Sequence, residues 1–468
     1  MAQTLFDKLW QEHEIKQLSD SQSLLYIDRI FLHERTGSVA LQGLETAHRQ
    51  VRRKAHAFCT MDHIVDTFPG RGDKTLMASG TDFIIATRHS AHEAGITLFD
   101  INDPDQGIVH VISPELGIAL PGSTLICPDS HTCTLGGLGA LAWGVGSTEA
   151  EHALATSTLR VQRPKNMRIH YCGDKPATVS AKDIILATIS IVGASGGAGH
   201  AVEFAGDAIH TLSAEERMTV CNMAVELSAF TGLIAPDESI IDYMKGRDFA
   251  PQGDLWRSAV KHWNTLQSDQ DAAFDREIEI DLTTIKPQIT WGTSPEQAIA
   301  FDQRVPSTKL ANTPSQAESW SRALEYMDLK SGTHLSDYPI QAAFIGSCTN
   351  SRLSDLRAAA RYLMRSKNKV ASGVKAICVP GSGRVKRAAE AEGLDQIFID
   401  AGFEWREPGC SLCFYAGGED FGEQARIIST TNRNFEGRQG LRARTHLASP
   451  LSVVASACAG HLTSAEFA

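Results

Sequence analysis

Cys410 and Cys413 are the residues most able to do chemistry, because Gly409-Cys410-Ser411-Leu412-Cys413 forces two thiols together through a tight turn. One C-x-x-C is compatible with half a zinc site, a redox dithiol or coincidence. Redox chemistry wants the pair near the start of a thioredoxin-like βαβ unit, whereas this one follows Pro408-Gly409 late in the chain. Structural zinc wants four ligands from nearby pairs. Only one further cysteine, Cys348 in Gly346-Ser347-Cys348-Thr349-Asn350, has a comparable loop setting. Three thiolates without a fourth suit a [4Fe-4S] cluster with one iron not ligated by protein, a Lewis acid able to hold a hydroxyl and a carboxylate oxygen. On spacing alone, structural zinc and plain burial of the thiols stay open. The other seven cysteines read as small buried hydrophobes.

Three polar islands interrupt apolar surroundings: Thr60-Met61-Asp62-His63, Gly107-Ile108-Val109-His110 and Asp129-Ser130-His131-Thr132. A histidine oriented by a carboxylate stays protonated near neutral pH and can deliver a proton to a departing hydroxide. Taken singly, each such histidine is more often a satisfied buried residue than a catalyst.

The elements that must position these residues are partly legible. The first eighteen residues read as an amphipathic helix. A helix is expected at about 144–160 and a strand at 167–171. Ser180–Asp183 and Ser213–Glu216 carry capping-box patterns that open further helices. The polar stretch 301–335 reads as a loop-like linker. Beyond it the period turns regular: strand 342–345, helix 351–366, strand 374–379, helix 384–392, strand 396–399. Such alternation implies βαβ units and a parallel sheet, whose ligands sit beyond the carboxyl ends of the strands. Cys348 falls at such an end. The glycine-rich runs at 136–139, 193–199 and 381–383 complete no phosphate-binding fingerprint and are read as tight turns and close backbone approaches.

Composition sets the outer limits. The chain has 468 residues, with 44 Lys+Arg against 55 Asp+Glu and a formal charge of −11. That length suggests about three domains. The acidic balance argues against nucleic-acid binding, which needs cations to displace phosphate counterions. No signal-peptide pattern and no apolar run of about 20 residues is visible, so no membrane association and a cytoplasmic location are expected.

The motifs together resemble the aconitase superfamily. Gly346–Arg352 is similar to its first cluster-ligand motif, Pro408–Cys413 to its second, and Asn432-Arg433-Asn434-Phe435-Glu436-Gly437-Arg438 to the substrate-arginine segment that follows. The match runs almost end to end, through Met61-Asp62-His63, Gln106–His110, Asp129–Thr132, Gly199–Phe204 and Pro287–Thr293. The resemblance implies an α/β fold of three aconitase-like domains (1–165, 166–300 and 336–468, with 301–335 between), built of α/β/α units with parallel-sheet cores and an active site at the domain interface. It implies that Cys348, Cys410 and Cys413 ligate a [4Fe-4S] cluster, and that Asp62, His63, His110, Asp129, His131 and Glu203 are catalytic. Arg433, Arg438 and Asn432 are implied to bind substrate. The nearest branch isomerises 2-isopropylmalate to 3-isopropylmalate in leucine biosynthesis; branches acting on 2-methylmalate/citraconate, dimethylmalate or homoaconitate-type substrates are the alternative. Single-chain aconitases carry a further swivelling domain, so a separate small subunit supplying it, and a serine base, is the implied partner. An RNA-binding regulator and a zinc-stabilised scaffold are the readings from other classes.

Departures from that branch cluster near the site. Phe414-Tyr415-Ala416-Gly417-Gly418 stands where the branch usually reads Leu-Ala-Met-Asn, Pro128 replaces a Gly before Asp129, Leu135 stands where a His often follows, and Asp105 replaces a frequent Tyr. None removes a cluster ligand or an arginine.

Overall fold

The computed structural model describes residues 2–415 and 417–467. Three parallel sheets organise the chain. In the first, the order is Thr97–Phe99, Ala57–Thr60, Arg29–His33, Thr124–Cys127, Leu141–Gly144. The second runs Thr231–Leu233, His200–Ala205, Lys165–Cys172, Arg276–Asp281. The third runs Phe403–Trp405, Lys375–Cys378, Ala342–Ile345, Arg426–Ser429, Arg444–Leu447. Small antiparallel sheets flank them at the N-terminus and at residues 288–300. The central strands of the first and third sheets, such as Ala57–Thr60 and Ala342–Ile345, are buried at every position, as parallel strands covered on both faces must be.

Local signals were read well where capping and apolar runs coincide. Ser180 and Ser213 accept the backbone N–H of Asp183 and Glu216, and both boxes are reciprocal. The apolar strand expected at 342–345 matches residue for residue.

Three expectations need correction. The N-terminal helix stops at His13, and Glu14–Ser19 forms an edge strand instead. Residues 396–399 are not a strand: Leu394–Ala401 is a helix and the strand is Phe403–Trp405. Its Ile-Phe-Ile run is short, and Leu394, Phe398 and Ala401 are buried at helical spacing, a pattern periodicity cannot separate from a strand over four residues. Nor is 301–335 a loop. Pro314–Met327 is a helix capped by Thr313 with Pro314 in its first turn, and Val305, Ala323, Met327 and Leu335 are buried in the third core.

The cores also interlock. Met218, Leu233, Ile240 and Trp263, from the 166–300 stretch, belong to the core built on the first sheet. The approach is close because Gly136 and Gly137 face backbone: a Cβ there would lie 1.7 Å from Gly232 O and 2.7 Å from Met218 N. Among the described residues no helix is long and apolar enough to cross a membrane.

Candidate active site

The first and third sheets bring the carboxyl ends of their strands together. Asp62 and His63 follow Ala57–Thr60, Asp129 follows Thr124–Cys127, Cys348 follows Ala342–Ile345 and Asn432-Arg433 follow Arg426–Ser429. The seam is bonded directly: Cys410 N donates to Asp62 O at 2.7 Å. The two turns holding the three cysteines put non-glycine residues in the left-handed region, Ser347 at φ 78° and Ser411 at φ 47°. Such positions cost energy and persist where the surroundings over-determine them, typically at functional sites.

A chain of charged hydrogen bonds crosses this ground. Asp62 Oδ1 accepts from His63 Nδ1 at 2.6 Å, and His63 Nε2 donates to Asp129 Oδ2 at 3.1 Å. Asp129 Oδ1 accepts His131 N at 2.7 Å and lies 3.4 Å from His110 Nε2. His131 Nε2 is 3.1 Å from Glu226 Oε1, which also accepts from Arg433 Nε at 2.7 Å. Burial alone would lower the basicity of His63, yet the Asp62 carboxylate, the Cys410 sulfur and the Asp129 bond outweigh it and hold the imidazole well above its ordinary value. Burial would raise the Asp129 carboxyl, but the charge of His110 and the close approach of His110, His131 and His63 hold it well below the carboxylate range. His33, stacked on His63 with ring centres 4.0 Å apart, is pushed down to about 4 by burial and then by the His63 charge. The two stacked imidazoles thus divide into one charged and one neutral.

The three thiols gather on the other side. Ser347 Oγ lies 3.2 Å from Cys413 Sγ and 3.9 Å from Cys348 Sγ, and Cys410 Sγ is 3.8 Å from Asp62 Oδ2. Asn222 Nδ2 and Asn432 Nδ2 point at Cys348 Sγ from 3.2 and 3.4 Å, and an Arg438 N–H points at Cys413 Sγ from 3.4 Å. Donors aimed at sulfur suit thiolates, whereas burial pushes the Cys348 thiol up to about 12 and also holds the Cys410 thiol well above its ordinary value. A bound metal centre resolves that conflict, since ligation deprotonates the thiol outright. Among the described residues the three sulfurs do not all lie within 4.8 Å of one another, which is too wide a spread for one zinc ion, whose sulfurs stand roughly 3.8 Å apart. Asn432 Oδ1 and Arg438 Nε are buried without partners, as groups reserved for a ligand are. The residues therefore fit a polynuclear cluster better than single zinc.

His33, Glu34, Asp62 and His63 also converge within 4.8 Å. Glu34 is occupied there, accepting the backbone N–H of Asp62 at 3.0 Å and of His63 at 2.7 Å, with Ile64 and Val65 beyond. It fixes the loop that carries the acid and the histidine.

All the expected site residues but one come together. Glu203 lies elsewhere, with its carboxylate accepting from Ser268 Oγ at 2.6 Å. Strand alternation turns it toward the N-terminal segment and away from the site, so it is withdrawn as a catalytic residue. Glu226 stands where a site glutamate was expected. Sequence reading also missed Asn222, which sits four residues before it. Both are polar residues in the apolar run MTVCNMAVELSAF, at the spacing that places two side chains on one face of a helical turn, and that was the available signal. Lys182 was missed too. It is fully buried and donates to Thr430 O at 3.0 Å and Thr431 O at 2.6 Å, bracing the loop that presents Asn432 and Arg433.

Parallel sheets meeting over three thiols, an Asp–His network and two arginines define a hydro-lyase of the aconitase kind. Residues 7–460 match the family described as Aconitase family (aconitate hydratase), and the chain belongs to that family. It is 53% identical over 459 residues, covering 98% of this chain and 95% of the relative, to 3-isopropylmalate dehydratase large subunit 1 of Bradyrhizobium diazoefficiens. The solved structure of Thermococcus kodakaraensis aconitase X (holo-form) covers 88% of this chain and 84% of its own at 12% identity with a TM-score of 0.48, a likeness too loose to bear on the chemistry.

Proposed function

We propose that this chain is the large subunit of a hydro-lyase that isomerises 2-isopropylmalate to 3-isopropylmalate by dehydration and rehydration. The observation that carries the reading is the convergence of three buried thiols with the Asp62–His63–Asp129–His131–Glu226–Arg433 chain, in a sequence 53% identical to a 3-isopropylmalate dehydratase large subunit.

Cys348, Cys410 and Cys413 hold a [4Fe-4S] cluster. When bound, the cluster supplies a Lewis-acidic iron that draws electron density from the substrate hydroxyl. The chain's own residues do the rest. Arg433 and Arg438 anchor carboxylates through their guanidinium forks, and Glu226 sets the angle of Arg433 by accepting its Nε. His63, kept protonated by its two carboxylates, donates from Nε2 to the departing hydroxide. With that proton gone, the backbone N–H of His131 and the neighbouring His110 ring remain beside the Asp129 carboxylate. Fixed charges in a dry site need no reorganisation as the hydroxide leaves. Removal of the proton alpha to a carboxylate falls to a group on a separate small subunit, which closes the site. A cluster on free thiols requires a reducing compartment, so the enzyme works in the cytoplasm.

The test is anaerobic turnover by the chain co-produced with its small subunit. 2-Isopropylmalate should yield the unsaturated acid and then 3-isopropylmalate, with no nicotinamide. Turnover of 2-methylmalate or dimethylmalate but not of 2-isopropylmalate would overturn the substrate assignment, and failure with all of them would overturn the reading.

A further inference from the structure

We infer that Phe414 is the residue of this chain that reads the alkyl substituent of the substrate, and that Arg35 and Arg438 hold its ring in place. The inference rests on the hydro-lyase reading and adds a specificity-determining residue to it.

Phe414 follows Cys413 directly and lies in extended backbone at φ −149°, ψ 151°. Its ring centre stands 5.8 Å from that of His63, tilted 48°. One side chain thus borders both a cluster thiol and the proton-donating histidine. The guanidinium carbons of Arg35 and Arg438 lie 4.9 Å and 5.7 Å from the same ring centre. Each is within the range of a cation–π contact, and two such contacts fix a ring that is otherwise only half buried. Arg438 also points an N–H at Cys413 Sγ, beside its part in anchoring a carboxylate. Arg35 is exposed and has no carboxylate partner among the described residues, which leaves the Phe414 ring as its contact.

Every polar part of a hydroxy dicarboxylate is already claimed, its carboxylates by guanidinium groups and its hydroxyl by the cluster side and His63. The phenyl ring has no hydrogen-bonding group for a carboxylate or hydroxyl, so the part of the substrate it meets is the remaining one, the alkyl group. Phe414 also lines a cavity of about 50 Å³ beside His63, together with Ile64, Val65, Met77 and Leu412, with Asp66 and Glu419 as its carboxylates. Truncating Phe414 joins this space to the site and removes the wall that grips an isopropyl group.

The experiment measures kcat and KM for 2-isopropylmalate and 2-methylmalate, with iron and sulfide content, in the assembled enzyme carrying Phe414→Ala, Phe414→Leu or Arg35→Met. Phe414→Ala should lower the 2-isopropylmalate to 2-methylmalate ratio of kcat/KM about tenfold or more, chiefly through KM, at unchanged iron and sulfide. Phe414→Leu should restore most of it. Arg35→Met should move the ratio the same way by about two- to fivefold. A ratio unchanged in Arg35→Met overturns the inference, even if Phe414→Ala loses its cluster. Parallel loss on both substrates in Phe414→Ala with iron and sulfide retained also overturns it. A wild-type enzyme that turns over neither substrate overturns the hydro-lyase reading itself.

Discussion

Glu226 shows most clearly how single residues divide the work. Its Oε1 serves both His131 and Arg433, so one carboxylate ties the proton network to the substrate anchor. Burial would raise it, yet the His131 bond and the charges of His131 and Arg433 hold it below the ordinary glutamate value. Glu226→Gln keeps the shape and removes the charge. Loss of a charge-assisted bond of about 1.5–3 kcal/mol should lower kcat/KM by roughly ten- to a hundredfold in steady-state assays. Glu203→Gln, by contrast, should leave kcat/KM within about twofold, because its carboxylate bonds Ser268 and nothing in the site. The paired outcome separates the glutamate that the motif resemblance suggested from the one the fold delivers. The cysteines, Asp62, His63, Asp129 and the arginines were legible because each stands in a compact polar motif. Glu226 was not, because its partners are 95 and 207 residues distant and no local pattern encodes a contact of that span.

Among the elements, strand ends and caps decide where chemistry can sit. The Thr430–Arg433 loop is braced by Lys182, a residue of the helix Ala181–Val192 in the middle of the chain. Lys182→Met removes donors from two buried carbonyls. It should destabilise the protein by about 1–3 kcal/mol in denaturant titrations and raise KM more than it lowers kcat, because Arg433 loses its support. An equal fall in kcat at unchanged KM would place Lys182 in the chemical step instead. Strands such as Ala342–Ile345 were read from sequence because a buried parallel strand is a short apolar run with turn residues at its ends. The helix Leu394–Ala401 was misread for the same reason, since four apolar-rich residues look alike in either state. Pro314–Met327 escaped notice because its outward face is polar and only Ala323 and Met327 are buried.

Over the whole molecule, stability depends on histidines that are buried neutral as well as on the site. His446 lies in the third sheet, with Nδ1 bonded to Thr290 O at 2.7 Å and Nε2 accepting from Arg426 at 3.0 Å. Burial, then the Arg426 charge, push it down to about 3 from an ordinary 6.5. Its folded value is below its unfolded one, so the unfolded chain binds the extra proton between those limits. The stability this histidine contributes is therefore complete above about pH 6.5 and falls as pH drops toward 3. Between pH 6.5 and 5 the loss is about 2 kcal/mol. Thermal unfolding at pH 5, 6 and 7 should show that slope in the wild type and a shallower one in His446→Gln. What no single stretch of sequence displays is the way two separate parallel sheets aim their carboxyl ends at one another. That convergence gathers loops far apart in sequence into one site, and it depends on close approaches such as Gly107 against Ser382, where a Cβ would lie 2.6 Å from Ser382 Cα.

The most direct measurement is the iron and acid-labile sulfide bound per chain after anaerobic purification, in the wild type and in Cys348→Ser, Cys410→Ser and Cys413→Ser. Three thiols holding a four-iron cluster predict about four irons and four sulfides in the wild type and loss of both in each variant. Stoichiometric zinc without sulfide, or iron and sulfide unchanged in the variants, would contradict the account.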